Sequence, residues 1–192
     1  AAVIVMLTLA YLFRPTFPPP RITGYMQITH DGQQKAFVGQ VTTTLLTDGP
    51  RIYLQESMGG RFVAAQVSAG GGDSVPIPTN LPNVALDNIS PDKSELLVGS
   101  FTGVEQEQVL WGLPVLGGVP RRLSDSRGVD GAWMPNGDLL FSHENQLWVA
   151  AKDGGTPREF ADPAGFCWWF RWSPDGRILR FTREEPKSSG VQ

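Results

Sequence analysis

The chain has 192 residues, of which Gly (22) and Pro (16) make up about a fifth, well above average usage. That excess has no triplet period and sits beside 10% aromatics with six Trp, which excludes collagen, disorder and a helical bundle and leaves an all-β domain with many tight turns. Sixteen Lys and Arg stand against nineteen Asp and Glu, a net charge of -3 with no basic run, so no nucleic-acid footprint is present.

In chain order, residues 1–13 come first and read AAVIVMLTLAYLF, without a charge. A helix of that length spans about 20 Å, short of the roughly 30 Å hydrocarbon core. The stretch is apolar on every face. It is expected to be the C-terminal part of a transmembrane helix, and the chain to be a fragment of a longer protein. Residues 14–23 hold Arg14, Pro15, Pro18, Pro19 and Pro20 and predict a stiff, extended linker.

The rest is organised by an internal repeat. Ser90-Pro91-Asp92-Lys93 recurs as Met134-Pro135-Asn136-Gly137 and Ser173-Pro174-Asp175-Gly176, with spacings of 44 and 39 residues between the prolines. Asp48-Gly49-Pro50 is a degenerate earlier copy. Each is a turn signal: Pro presets φ, Asp or Asn bonds the turn, and Gly accepts positive φ. A large apolar residue precedes each proline by two (Ile89, Trp133, Trp172), and a short apolar strand follows each turn. Val109-Leu110-Trp111 matches Gln146-Leu147-Trp148, each Trp six residues before a glycine pair, Gly117-Gly118 or Gly154-Gly155. Gly70-Gly71-Gly72 is the earlier counterpart. A fourth strand lies beyond each pair, at Val75–Pro78, Pro120–Leu123 and Pro157–Phe160.

Four short strands per unit at a period of about 40 to 45 residues is the pattern of a β-propeller blade. Blades are predicted at 41–80, 85–125, 129–162 and, partially, 166–192. That makes an incomplete propeller of about 3.5 blades over 24–192. The orphan strand 24–29 resembles the last strand of a unit and is expected to close the ring.

The Ser-Pro-Asp-Gly turn, the Leu-Trp strand and the Gly-Gly-x-Pro-Arg turn resemble the repeats of TolB-like propellers. The helix, the Pro-rich spacer, Tyr25-x-Gln27-Ile28-Thr29-x-Asp31-Gly32-x-x-Lys35 and Thr47–Tyr53 resemble membrane-anchored bacterial regulators of the CadC-like kind. That resemblance implies a non-catalytic sensory or binding propeller in the periplasm, on a single-pass inner-membrane protein. Its winged-helix DNA-binding domain is absent from this sequence. The partners implied are the membrane and a protein or small ligand, with no nucleic acid bound here. The alternatives are the propeller of a membrane-bound prolyl-oligopeptidase-type peptidase, that of a transmembrane Ser/Thr kinase, or a plain interaction scaffold. The peptidase would need a Gly-x-Ser-x-Gly nucleophile elbow, which this sequence lacks.

No catalytic residue, metal site or cofactor is expected. His30 and His143 read as solvated turn residues, and Asp92 and Asp175 as turn formers. Gly70-Gly71-Gly72 lacks the Lys and helix of a phosphate loop. In Phe166–Trp172, alternation puts Phe166, Trp168, Phe170 and Trp172 on one face and Cys167, Trp169 and Arg171 on the other. The first set is expected between blades, and Cys167 as a small buried hydrophobe. Trp169 and Arg171 are the candidate binding residues, an indole and a guanidinium placed to stack on a ligand.

Overall fold

A computed structural model describes residues 21–36, 45–152 and 155–185, together with Met6 and Tyr11. Apart from Met6 and Tyr11, the expected transmembrane segment 1–13 lies outside the described residues, as does most of the linker. No helix among the described residues is long and apolar enough to cross a membrane.

The described chain is all-β, with fourteen strands in four antiparallel sheets. The first sheet holds β1 (Leu45–Thr47), β2 (Arg51–Met58), β3 (Arg61–Ser68) and β4 (Val75–Pro76). The second holds β5 (Val84–Ile89), β6 (Glu95–Ser100), β7 (Gln108–Pro114) and β8 (Arg121–Gly128). The third holds β9 (Gly131–Trp133), β10 (Leu139–His143), β11 (Gln146–Ala150) and β12 (Arg158–Ala161). The fourth pairs β13 (Phe166–Trp172) with β14 (Leu179–Glu184). Within each sheet the strands neighbour one another in sequence order, and the first strands β1, β5, β9 and β13 touch in succession. That is blade geometry, with those four strands innermost.

The local chemistry of the turns explains the repeat. In the second blade, Ser90 N–H bonds Glu95 O and Lys93 N–H bonds Ser90 O. The Asp92 carboxylate accepts from Ser90 Oγ (2.6 Å) and Ser94 N–H (3.1 Å). The fourth blade repeats this with Ser173 and Asp175, and in the third Asn136 Oδ1 accepts from Asp138 N–H. Lys93, Gly137 and Gly176 hold the same left-handed position, with φ of 62°, 90° and 70°. The turns also touch from blade to blade: Lys93 Nζ donates to Asp48 O at 2.8 Å.

Packing follows period two, and strands β6 and β10 are buried on both faces. In β6, Leu96 and Val98 join a core shared with Leu46, Tyr53 and Ile77 of the first blade. Leu97 between them joins Trp133, Leu139 and Phe141 of the third. Leu140 in turn faces Cys167 and Phe170 of the fourth. The repeated Leu-Trp pair behaves alike in both copies. Trp111 packs toward the preceding blade and Leu110 toward the next, as Trp148 and Leu147 do one blade later. Each fully buried Leu or Phe contributes about 1.5–3 kcal/mol, so these seams hold successive blades together.

The segment before the first blade is attached to it. Thr29 bridges Gly72, and Lys35 bridges Glu56 on the β2 edge that β1 occupies further along. Ile28 packs on Leu54, Ala65 and Val67. Lys35 Nζ lies 2.8 Å from Asp31 Oδ1 and 3.1 Å from Ser74 Oγ, and it also pairs with the buried Glu56. Asp31 takes Ser74 N–H at 2.8 Å. Hydrogen bonds from Lys35 and Ser74 hold the Asp31 carboxyl well below the usual range. Burial disfavours the Lys35 ammonium, but its bonds to Asp31 and Glu56 outweigh that and raise its pKa. Residues 24–28 form no strand with the described residues.

Two sequence expectations are corrected. Strict alternation in β13 fails, because Cys167 and Phe170 share one core. The pairing with β14 slips by one residue between Trp168 and Arg171, where Trp169 takes φ of 59°. His143 is not a free turn residue. It closes a two-residue hairpin whose Glu144 and Asn145 both have positive φ. Its Nδ1 sits 2.8 Å from Glu107 Oε2 of the second blade, and Trp148 meets its ring edge-on.

Candidate functional site

The innermost strands carry the irregularities. β5 bulges at Asp87, between Leu86 and Asn88, and β13 bulges at Trp169 and Phe170. Asp130 stands immediately before β9, and its carbonyl accepts Ser142 N–H. Counted back from the turn prolines, Asp87 lies four residues before Pro91, Asp130 five before Pro135 and Trp169 five before Pro174. One level of three neighbouring blades therefore carries two acids and an indole. Bulges of this kind re-aim side chains and cluster at sites.

Asp87 and Asp130 are 1% and 0% exposed. Asp130 Oδ1 accepts Gly131 N–H at 2.7 Å, and Oδ2 accepts Trp169 N–H at 2.5 Å. Both Asp87 carboxylate oxygens are buried without a hydrogen bond among the described residues. Burial, reinforced by the charge of Asp130, pushes the Asp87 carboxyl far above the usual range. Burial also pushes Asp130 up to about 7, although the amides of Trp169 and Gly131 and the nearby Arg171 pull it back. Arg171 is itself lowered by burial, against the attraction of both acids. Burial favours the neutral form of both acids, and the nearby Arg171 offsets part of that preference.

Arg171 donates to Phe170 O at 2.7 Å and reaches Asp87 O at 3.5 Å. It also lines a cavity of about 530 Å³ where the innermost strands of all four blades end, with Leu45, Asn88, Trp133 and Trp172 around it. Among the described residues, Arg171 is the single charged one in that lining. A second cavity of about 510 Å³ lies beside it, sharing Pro91, Trp133 and Pro135. The first is of a size to enclose a small molecule. Trp169, two residues from Arg171, is 46% exposed, and its ring meets Trp168 edge-on at 6.3 Å.

The structure thus brings the two sequence candidates, Trp169 and Arg171, together with Asp87 and Asp130, which sequence reasoning missed. A signal for both acids existed: each is a lone Asp beside an apolar run, Val84-Ala85-Leu86 or Ala132-Trp133, at matching places in the repeat. His30 is exposed on the segment before the first blade. Asp92 and Asp175 serve their own turns, and Cys167 is buried in the core. Among the described residues, no group of three or more His, Cys, Asp or Glu is placed to hold a metal ion.

The same fold occurs in solved structures. A structure described as TolB from Agrobacterium tumefaciens superposes with a TM-score of 0.64 at 17% identity, over 82% of this chain and 59% of that one. A gluconolactonase from Xanthomonas campestris, described as important in glucose secondary metabolic pathways, gives 0.59 at 13% identity, over 82% and 57%. The chain therefore spans less than two thirds of either neighbour. At such identities the likeness is one of fold, the TolB-like β-propeller. No family model matches the chain, and no curated protein matches it.

Proposed function

We propose that this chain is a non-catalytic, ligand-binding sensory propeller, the extracytoplasmic part of a membrane-anchored bacterial transcriptional regulator. Residues 1–13 would anchor it in the inner membrane, with the propeller in the periplasm. The observation that carries the binding reading is Arg171 in the wall of the 530 Å³ cavity, with an exposed Trp169 in a strained backbone position two residues earlier on the same strand. Non-glycine residues in the left-handed region persist where the surroundings over-determine them, and they gather at ligand sites. An exposed indole offers a flat apolar face and an edge donor. With one cation and mostly uncharged neighbours, the cavity suits a small ring-bearing molecule that is neutral or carries one negative charge.

An enzymatic reading draws on the gluconolactonase neighbour. The two are separated by incubating the 192-residue chain with glucono-δ-lactone, glucose and indole-3-acetate. Saturation-transfer NMR reports binding, and acid release reports hydrolysis. Binding of at least one ring compound without lactone turnover is the expected result. Hydrolysis in proportion to protein concentration would replace the sensory reading with a catalytic one.

A further inference from the structure

We infer that Asp130 is the positioning residue of this site, the group that fixes the β13 bulge and so sets where the Trp169 ring points. The inference rests on the binding reading only for its purpose. The geometry stands by itself.

Trp169 cannot hold its conformation through its own preferences. A non-glycine residue at φ 59° pays for crowding of its Cβ against the backbone. The slip between Trp168 and Arg171 also takes the Trp169 amide out of the β13–β14 ladder. A buried amide without a partner is costly. Asp130 supplies that partner from the neighbouring blade, 39 residues away in sequence. The same carboxylate takes Gly131 N–H, so both its oxygens are committed, one to each blade. Gly131 itself has no room for a side chain. A Cβ there would meet Leu140 O at 2.9 Å and Leu97 Cδ2 at 3.1 Å. One carboxylate therefore ties the innermost strands of the third and fourth blades and leaves the indole 46% exposed between the buried Cys167 and Phe170.

Asp87 gives an internal control. It is as buried as Asp130 and faces the same Arg171, yet no hydrogen bond joins its carboxylate to Trp169. A generic role for charge in the wall would make the two acids equivalent, whereas positioning makes them unlike.

The test labels the 192-residue chain with 5-fluorotryptophan and assigns the Trp169 resonance with Trp169→Phe. Asp130→Asn replaces one acceptor oxygen by an NH2 group facing the backbone N–H donors of Gly131, Trp169 and Phe170, so the carboxylate's set of bonds cannot be kept. The expected result is a shift of the Trp169 resonance alone among the six tryptophans. Amide exchange at residue 169 should also rise by tenfold or more. Asp87→Asn should leave that resonance and that amide as in the wild type. Asp130→Glu, which restores two acceptors, should recover protection in part. An unmoved Trp169 in Asp130→Asn, or an equal shift in Asp87→Asn, would overturn the inference. Shifts of all six resonances would also overturn it, since that would mean collapse of the fold. None of these readouts needs a ligand, so failure of the binding reading would leave this result intact.

Discussion

Raising the pH from 5 to 7 should destabilise the chain, and Asp130→Asn should remove Asp130's share of that loss. Asp130 is fully buried, and its carboxyl is pushed from an ordinary 3.8 to about 7. Between those values the folded state keeps a proton that the unfolded chain has released. The associated stability is complete below about 4, falls as pH rises, and levels off above about 7. The slope approaches about 1.4 kcal/mol per pH unit in mid-window and tapers towards pH 7, so the step from 5 to 7 costs on the order of 2 kcal/mol. For a chain of this size that is a drop of about 4–8 °C in Tm. Asp87 is shifted in the same direction, so its share adds with the same sign. Asp31, Asp48, Asp92, Asp175 and Glu105 are shifted the other way, below their ordinary values. Their contribution is present above those ordinary values and lost as pH falls through the lower folded ones, outside the 5–7 window. The assay is urea unfolding at pH 5, 6 and 7 for wild type and Asp130→Asn. A wild-type slope that Asp130→Asn leaves unchanged would refute the reasoning.

The contacts between turns and the anchoring of the first blade give two further tests. Gly176→Ala places a Cβ 2.5 Å from Pro135 Cγ at φ 70°, so it should lower Tm through both strain and a clash between turns, at a cost of about 1–3 kcal/mol. A Tm within 1 °C of wild type would mean that the fourth blade's turn does not seat on the third. Lys35→Met leaves Asp31 facing the buried Glu56 without a cation. Hydrogen exchange should then speed up at Ala36 and Ser57, which bond Gln55 O and Gln34 O, while Leu96–Val98 stay protected. Unchanged exchange at Ala36 would show that backbone pairing alone holds the segment.

How far the sequence could be read follows from the range of the forces involved. Blade boundaries were legible because each rests on local chemistry. The predicted blades at 41–80, 85–125 and 129–162 enclose or overlap sheets at 45–76, 84–128 and 131–161. A Pro that presets φ and an Asp that bonds the next amides act within four residues. The bulge at Trp169 was not legible, because its cause is a carboxylate 39 residues away on another blade. Alternation therefore assigned Phe170 and Cys167 to opposite faces, whereas they share one core. His143 was misread for the same reason, since its partner Glu107 comes from a loop of the preceding blade. Asp87 and Asp130 carry no turn motif of their own, whereas Asp92 and Asp175 stand in the repeated turns that their carboxylates serve. Trp169 and Arg171 stood out by side-chain type alone, and the structure supplies the wall and the cavity beside them.

The central claim is that the innermost strands form a binding surface with Trp169 and Arg171 at its heart. The most direct measurement compares the dissociation constant of indole-3-acetate, or of whichever of the three ring compounds binds, for wild type and Trp169→Ala at pH 7. Removal of the indole should weaken binding at least tenfold, a loss of about 1.4 kcal/mol, while the urea midpoint moves little because the ring is half exposed. An unchanged dissociation constant in Trp169→Ala, with the fold intact, would contradict the account.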